Sequence, residues 1–578
     1  MAREHMTGVD TAWLRMDSPG NLMMINAVEV FDTPIPYDAL ADRVTERLLK
    51  FDRFKKKVVL DGAAYWWEDD EHFDLANHLK RDKLPAPGGD RELQALVGRL
   101  ASEPLDPNRP LWEFRLVSNY KGTNALVVRI HHCIADGIAL VNVTMSMADG
   151  WQDVPRATAR AAAEDPDDDP EHEGSHSWPL IEPFSRSMVK AAEATGTALG
   201  ASLQLANDPE ERGALALVGG QFAKDAMKIA LMASDSQTLL KGTPGGRKVV
   251  AWNDPLPLPE VKAVCKVLSV SVNDVLLSCV AGAIHRYLER HGDYTAGKEI
   301  RAMVPVNLRD PNAPMTMGNR FGLVPLEIPV GIPNPVERLY EVRRRMDELK
   351  SGYQGPLAYA ILSAMGYTPK IVQKLLLDYL ANKGTAVMTN VPGPTEAISV
   401  AGVKVRRLIP WVPQSGNIGV GISIYSYNGH VQFGLITDAD LCAEPQLIID
   451  EFAPEFERLL LTLSMLPREM VVTGRLDPGE VERRLLSRRP TAAAPRRVAA
   501  AGAARAANST KTNGSKGNGK AAKTANAAKT ANAAKTANAA KASKGAKAAG
   551  TGSNGATPRK AAAGGAAKPA RGATTSGA

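Results

Sequence analysis

The sequence has few cysteines, few aromatic residues and no long apolar run. No stretch approaches the ~18 uninterrupted apolar residues of a membrane-spanning helix, and residues 1–17 are too charged for a secretory signal. The four cysteines are widely separated and form no Cys-x-x-Cys pair, which argues against a zinc site or a disulfide framework: Cys133, Cys265, Cys279 and Cys442. These absences favour a reduced, cytoplasmic protein whose contact with any membrane is peripheral.

Acidic residues are missing from the C-terminal end. Residues 491–578 contain 16 Lys and Arg and no Asp or Glu, whereas residues 1–490 contain 54 basic and 63 acidic groups. The repeat KTANAA occurs three times from Lys523. A six-residue step turns ~240° around a helix of ~3.6 residues per turn, so these lysines form no single face. We predict that residues 490–578 are a basic, low-complexity, disordered tail.

Composition divides the remaining chain into two mixed halves. Residues 1–150 alternate strand-like and helix-like segments and form an N-terminal lobe. The segment from Trp151 to Pro179 is acidic, rich in proline and too polar to bury a core, and apolar-periodic helices are expected from about Pro183 to Lys241. We therefore assign residues 151–245 to an acidic linker and crossover helices.

Residues 246–475 form the C-terminal lobe, which contains two clear local signals. Ser271 followed by Asp274 resembles a capping box at the start of a helix, and Gly292 supplies its end. Asn428-Gly429 lies between two β-rich runs and predicts a hairpin. The pattern predicts an α/β (α+β) protein with two lobes of similar size.

The segment HHCIADG, residues 131–137, follows a compact apolar strand. Adjacent strand residues face opposite sides, so His131 and His132 cannot perform the same task if both stay extended. Asp136 is placed to pair with an arginine, and Gly137 permits close packing or a positive φ. Taken alone, this pattern is more typical of two histidines satisfied structurally at a strand end.

Metal binding is an alternative for the same segment. His131, His132 and Asp136 are potential ligands, and His172 and His176 in the acidic linker could add two more. Adjacent strand histidines diverge, however, and the sequence has no His-Glu-x-x-His spacing. We expect no metal.

Further motifs extend the pattern over about 450 residues. They are WWEDDEHFDLANHL (66–79), PLDPNRPLWEF (104–114), Asn-Asp (273–274), VPVNLRD (304–310), MGNRFG (317–322) and TNVPGP (389–394). With HHxxxDG, and in this order, they resemble the bacterial wax ester synthase/acyl-CoA:diacylglycerol acyltransferase family. HHxxxDG alone would also fit chloramphenicol acetyltransferase, plant acyltransferases and peptide-synthetase condensation domains.

The resemblance implies a two-lobed, chloramphenicol-acetyltransferase-like fold with an active-site tunnel between the lobes. It implies that His132 is the general base and that His131, Asp136 and Gly137 complete the motif. A neutral imidazole with a pKa near ~6.5 can take the proton of an attacking alcohol and return it to a leaving thiolate. No Gly-x-Ser-x-Gly nucleophile elbow competes for the role.

The other matched residues have structural alternatives. Pro110, Leu111 and Trp112 either shape an acyl channel or pack in the core. Asn273 and Asp274 either position the site or simply stabilise the first turn of a helix, which we favour. Arg309 is a candidate partner for Asp136, since a buried carboxylate needs one; no oxyanion donor is identifiable.

We therefore expect an O-acyltransferase that uses acyl-CoA as co-substrate, binds no cofactor and acylates diacylglycerol or a long-chain alcohol. The enzyme would be cytoplasmic, with peripheral contact to the inner membrane or lipid droplets. One alternative is an acyltransferase of the same fold acting on another alcohol or amine. Another is a non-catalytic protein that binds lipid surfaces or nucleic acid through its basic tail, although the tail lacks aromatic residues for base stacking.

Overall fold

The structure is a computed structural model that describes residues 3–151, 232–309, 317–350, 354–366, 368 and 370–465. The predicted acidic linker, most of the predicted crossover helices and the predicted basic tail lie outside the described residues. Within them, the chain forms sixteen strands and eleven α-helices, together with short 3-10 helices at Leu48–Lys50, Asp52–Phe54 and Leu75–Asn77.

The strands alternate with the helices along much of the chain. The strands are β1 (Glu4–His5), β2 (Met24–Phe31), β3 (Lys56–Asp61), β4 (Ala64–Asp69), β5 (Leu79–Lys83), β6 (Trp112–Tyr120), β7 (Thr123–His131), β8 (Lys248–Trp252), β9 (Leu256–Pro257), β10 (Ile300–Asn307), β11 (Phe321–Ile328), β12 (Ala386–Pro392), β13 (Ser399–Val400), β14 (Val403–Trp411), β15 (Val420–Tyr427) and β16 (His430–Asp438). The helices are α1 (Gly8–Arg15), α2 (Tyr37–Arg47), α3 (Asp90–Ser102), α4 (Gly137–Ser146), α5 (Leu258–Leu268), α6 (Val272–Arg290), α7 (Pro335–Lys350), α8 (Gln354–Gly366), α9 (Lys370–Ala381), α10 (Gln446–Ile449) and α11 (Phe452–Ser464).

Two large sheets organise these elements. The N-terminal sheet has the order β13-β14-β2-β7-β6-β5, so two of its strands come from the second half of the chain. The C-terminal sheet has the order β11-β10-β12-β15-β16-β8, and β9 also pairs with β16. A third, smaller sheet has the order β1-β4-β3. β13 and β14 join the N-terminal sheet and so connect the two halves. The residue pattern did not predict this pairing.

Local signals in the second half have the predicted structure. Ser271 caps α6, and Asp274 closes the reciprocal bond to the Ser271 N–H at 2.9 Å. Gly292, which follows the C-cap residue His291 of this helix, has φ of 74°. Asn428 and Gly429 both have positive φ and join β15 to β16 in a two-residue hairpin. The mixed α/β, two-lobed fold class is confirmed.

The helical segment that we predicted up to about Lys241 is not helical at its described end. Residues 232–241, the described end of that segment, contain no helix. Asp235 instead accepts hydrogen bonds from the Arg301 backbone N–H at 3.0 Å and the Thr385 hydroxyl at 2.6 Å. These contacts tie the segment to β10 and to the residue before β12, and its backbone forms no helix there.

Among the described helices, none is by itself long and apolar enough to cross a membrane. α5 and α6 meet the criterion of length and composition only as a pair, bent by 102°. Both helices contribute many buried residues to the core of the second half.

Candidate active site

β7 brings the two histidines to the junction of the two halves. Every residue of this strand is buried, and it lies between β2 and β6. The His131 N–H donates to the Leu111 carbonyl at 2.9 Å, and the His132 N–H donates to the Met23 carbonyl at 2.8 Å. Because the two backbone bonds run to opposite neighbours, the adjacent side chains reach different surroundings.

The His132 ring is enclosed by aromatic side chains and one amide. The Trp13 ring stacks on it with centroids 4.2 Å apart and planes inclined by 15°, and Phe321 lies 5.5 Å away. Nδ1 of His132 is 2.8 Å from Oδ1 of Asn319. A carbonyl oxygen only accepts, so Nδ1 carries the proton and Nε2 keeps its lone pair. This tautomer leaves Nε2 available as a base.

The orientation of Asn319 is fixed by a buried network. Its Nδ2 donates to Asp10 Oδ1 at 2.8 Å and to the His132 carbonyl at 2.9 Å, and both partners are acceptors. Asp10 is fully buried, and its Oδ2 accepts from Arg53 Nη1 at 3.0 Å. Arg53 Nη1 also donates to the Ile134 carbonyl at 3.0 Å. The network leaves the Asn319 oxygen directed at the imidazole.

Burial sets the protonation of His132. Desolvation lowers the pKa of this ring to about 4, although the charge of Asp136 and the hydrogen bond to Asn319 act in the opposite direction. At neutral pH the ring is therefore uncharged. A neutral imidazole is the form that can accept a proton.

Asp136 serves the backbone around the site. Its Oδ1 accepts the Ala139 N–H at 2.9 Å and so caps α4. Its Oδ2 accepts from Arg309 Nη2 at 2.7 Å and from the Arg320 N–H at 3.0 Å. Asp136 thus joins the turn after β7 to two segments of the second half, and Arg309 occupies the partner position that the sequence suggested.

The same turn contacts the residues before β11. The Gly318 carbonyl accepts from Arg309 Nη2 at 2.6 Å, and Gly318 forms an isolated parallel bridge with Ala135. These contacts place Asn319, the next residue, beside His132. Asp136 and Arg309 therefore act as positioning residues in this geometry.

Gly137 does not have the role that its position in the motif suggested. It is the first residue of α4, and its φ lies outside the left-handed region. A Cβ added there would meet no atom within 4 Å, so close packing is not the reason for the glycine either. Both expected reasons are wrong, because the turn is shaped by Asp136 and the space beside Gly137 is open.

His131 occupies a separate pocket formed by the N-terminal half. Its Nδ1 accepts the Cys133 N–H at 3.1 Å, and its Nε2 is 3.2 Å from Asp17 Oδ1. Asp17 Oδ1 also accepts the Met23 N–H at 2.6 Å. The ring therefore connects the turn after β7 to the segment that leads into β2, which is a structural role.

The three residues of the Pro-Leu-Trp motif lie in the core beside this site. Trp112 Nε1 donates to the Phe54 carbonyl at 2.9 Å, and its ring stacks on His78 with centroids 4.6 Å apart. Pro110 closes a turn by accepting the Trp112 N–H at 2.9 Å, and Leu111 is buried. These contacts favour the structural interpretation of the motif.

Asn273 and Asp274 begin α6, where Asp274 completes the capping box. Asn273 Oδ1 accepts a hydrogen bond from Asn390 Nδ2, which links the Asn-Asp motif to the TNVPGP motif on β12. Burial raises the pKa of Asp274. Within the described ranges, no hydrogen bond joins either residue to His132 or Asn319.

No group of three or more His, Cys, Asp or Glu among the described residues is arranged to hold a metal ion. His172 and His176 lie outside those residues. A cavity of about 340 Å³ is lined in part by Lys80, Arg109, Pro110, Trp112 and Arg129 and does not include His132. The tunnel implied by the resemblance stays a prediction.

Sequence reasoning missed the residues that hold His132 in place. Asn319 lies within the MGNRFG motif, but nothing in its spacing indicated contact with a histidine 187 residues earlier. Asp10, Arg53 and Trp13 carried no motif signal. The sequence signal that could have indicated Asp10 is its position as a charged residue among the apolar residues of an N-terminal helix.

Comparison with known proteins places the chain in a family of similar sequences. The family model of the wax ester synthase/diacylglycerol acyltransferase catalytic domain matches residues 6–276, and that of the WS/DGAT C-terminal domain matches residues 317–460. A Mycobacterium tuberculosis protein named "Probable diacylglycerol O-acyltransferase" is 28% identical over 460 residues, which cover 76% of this chain and 92% of the relative.

Two solved structures share the fold. One is the wax ester synthase/diacylglycerol acyltransferase from Marinobacter aquaeolei, with a TM-score of 0.55, 22% identity and coverage of 80% of this chain and 100% of that chain. The other is the first condensation domain of the calcium-dependent antibiotic synthetase, with a TM-score of 0.51, 16% identity and coverage of 81% and 97%. At these identities the likeness concerns the fold alone.

Proposed function

This chain belongs to the wax ester synthase/diacylglycerol acyltransferase family, and we propose that it transfers a long-chain acyl group from acyl-CoA to diacylglycerol or a long-chain alcohol. Membership of the family makes it an acyltransferase. The choice of donor and acceptors rests on the family and on the name of the mycobacterial relative. The role of His132 as general base rests on the geometry of its ring.

The observation that carries the proposed mechanism is the hydrogen bond that His132 Nδ1–H donates to Oδ1 of Asn319. Nε2 takes the proton of the acceptor hydroxyl as the oxygen attacks the thioester carbonyl carbon. The C–S bond of the tetrahedral intermediate then breaks, and the imidazolium returns the proton to the coenzyme A sulfur. The products are an ester and a free thiol, and no group is oxidised or reduced.

The surroundings of His132 suit this proton transfer. A buried ring with a pKa of about 4 is uncharged at neutral pH. Its charged form arises only during reaction, when the Asn319 carbonyl oxygen accepts the hydrogen bond from Nδ1–H and the nearby Asp136 carboxylate stabilises the new positive charge. Both groups are already in place, so the protein need not reorganise during the step.

The acceptors are insoluble in water, and we infer that the enzyme is cytoplasmic and meets them peripherally, at the inner membrane or at lipid droplets. Attraction of the basic tail to anionic lipid stays a prediction, since residues 490–578 lie outside the described structure. We expect no nucleic-acid partner and no bound cofactor besides acyl-CoA as co-substrate.

The test follows free thiol released from palmitoyl-CoA by the full-length protein with diacylglycerol, hexadecanol or no acceptor. We expect release that depends on an acceptor, together with a matching amount of triacylglycerol or wax ester. Release without any acceptor would identify a thioesterase instead.

A control variant for His132→Ala separates loss of catalysis from loss of folding. His285→Ala removes another buried histidine, whose Nδ1 lies 2.8 Å from the Thr295 hydroxyl in the C-terminal half, and should keep the activity. An absence of thiol release with every acceptor, together with lipid binding that is lost on deletion of residues 491–578, would overturn the proposal in favour of a non-catalytic lipid-binding protein.

A further inference from the structure

The helix α9 has an unusual outer face. Nine large hydrophobic side chains are exposed among the described residues, and four of them belong to this one helix. Ile371 is 76% exposed, Val372 49%, Leu375 66% and Tyr379 42%. At about 100° per residue these four positions fall within roughly 100° of the helix circumference. They form one apolar stripe on the surface, which we call the α9 stripe.

The opposite side of α9 is firmly attached to the protein. Gln373 is 1% exposed, and its Nε2 donates to the Ala12 carbonyl at 3.0 Å. Arg15 Nη1 donates to the Thr368 carbonyl at 2.9 Å, just before α9 begins. Both contacts run to α1. The helix therefore presents the stripe from a fixed position.

The attachment also brings the stripe near the active site. Ala12, which receives the Gln373 hydrogen bond, is followed by Trp13, whose ring stacks on His132. One helix, α1, thus separates the exposed apolar face from the imidazole. A hydrophobic molecule held at the stripe would lie one layer of protein away from the reaction.

Positive charges border the stripe. Lys370 and Lys374 are exposed on one flank, and Lys383 Nζ lies 4.7 Å from the centre of the Tyr379 ring at the C-terminal end. An apolar face bordered by lysines is typical of helices that lie in the interface of a membrane. The lysines are complementary in charge to anionic headgroups, whereas they would add no electrostatic attraction to an uncharged protein surface.

We propose that the α9 stripe docks the enzyme on an anionic phospholipid surface, with Ile371 and Leu375 entering the acyl region and the lysines contacting headgroup phosphates. The proposal deepens the proposed function, because it supplies the surface from which a water-insoluble acceptor reaches His132. It concerns a part of the chain other than the basic tail. The tail stays intact in every protein compared below.

The experiment measures binding of the full-length protein to vesicles by flotation. The vesicles contain phosphatidylcholine alone or with phosphatidylglycerol, in low and high salt. The test variant is the double substitution Ile371→Ser and Leu375→Ser. The matched control is Leu461→Ser with Met465→Ser, since these residues are 65% and 64% exposed and also stand four positions apart, at the end of α11.

We expect the test variant to bind anionic vesicles at least roughly tenfold more weakly than the unsubstituted protein, because two large apolar side chains no longer leave water. The α11 control should bind normally. Lys370→Gln with Lys374→Gln should reduce the preference for phosphatidylglycerol and its sensitivity to salt. Equal vesicle binding by the test variant and the unsubstituted protein would overturn the proposal.

Analytical sedimentation of the same proteins tests whether the α9 stripe instead binds a second copy of the chain. Self-association that disappears in the test variant, with vesicle binding unchanged, would assign the stripe to a protein interface and also overturn the proposal. Failure of the proposed function is distinguishable, since vesicle binding needs no turnover. With acceptor in detergent micelles the test variant should keep its activity, and with acceptor in vesicles it should lose several-fold.

Discussion

His131 and His132 are adjacent in the sequence, yet their pockets are built from different parts of the chain. The His131 ring has its partners at Cys133 and Asp17, and its backbone N–H bonds the Leu111 carbonyl, all within the N-terminal half. The His132 pocket adds Asn319 from the second half. At the end of a strand, neighbouring side chains point in opposite directions. The contacts of His132 therefore require the two halves to pack together, whereas those of His131 do not. The contacts favour a structural role for His131 and are consistent with the proposed role of His132 as general base.

The sharpest way to break this comparison is to remove each ring in turn. His132→Ala should lower kcat/KM by roughly 10²–10⁴, the usual contribution of a general base. His131→Ala should lower it far less and act mainly on stability, since its ring bonds the Cys133 N–H and faces Asp17. Thiol release and thermal unfolding are measured on both variants. Equal losses of activity with unchanged folding would remove the distinction between the two pockets.

The dependence of the His132 pocket on the second half is tested through Arg309. The Arg309 and Asp136 side chains are 9% and 6% exposed, so Arg309→Gln leaves a buried carboxylate without its cation. We expect a loss of about 3–5 kcal/mol in the free energy of unfolding. Chemical denaturation measures it, with Arg344→Gln at an exposed ion pair as the control. A loss below about 1 kcal/mol would contradict the role of this pair.

Asn319→Ala removes the amide that holds the His132 ring. A hydrogen bond to a group that becomes charged contributes about 1.5–3 kcal/mol, so kcat/KM should fall roughly tenfold to a hundredfold, mostly through kcat. Asn124→Ala is the control, because Asn124 is a buried amide on β7 whose side chain bonds the Ile35 backbone N–H and carbonyl. A change in KM alone would indicate that Asn319 contacts substrate instead.

Trp13→Ala sharpens the electrostatic side of the comparison. The variant admits water to His132, so the pKa of the ring should rise from about 4 toward its ordinary value near ~6.5. The base is active when unprotonated. The acid limb of the pH profile of kcat/KM should therefore move to higher pH, and activity near pH 5.5 should fall relative to pH 8. An unshifted limb would show that the stacking of Trp13 does not desolvate the ring.

Gly137→Ala gives the smallest expected effect. The new methyl group meets no atom within 4 Å, and the backbone conformation suits an L-residue. Stability should stay within about 1 kcal/mol of the original value, in the direction of a gain. Thermal unfolding decides the point. Activity that falls while stability holds would indicate that substrate occupies the open space.

Much of the fold could be predicted from sequence because its signals are local. The capping box at Ser271 and the hairpin at Asn428-Gly429 depend on residues a few positions apart, and both are present in the structure. The transfer of β13 and β14 to the N-terminal sheet depends on pairing across hundreds of residues, for which one sequence carries no local signal.

The candidate site divides in the same way. The HHxxxDG motif located His132, and the need of a buried carboxylate for a partner suggested Arg309. Asn319 and Asp10 escaped notice, because their hydrogen bonds span 187 and 309 residues. The prediction for Gly137 was wrong. A glycine beside a turn commonly indicates a backbone constraint, but here the space around it is open.

The most direct test of the central claim is the pH dependence of kcat/KM for thiol release by the unsubstituted protein, because this parameter reports the free enzyme. The buried, neutral His132 predicts a rate that is level from pH 7 to about pH 5 and falls toward pH 4 as the ring is protonated. An acid limb at pH 6.5 or above would contradict a desolvated His132 as the base.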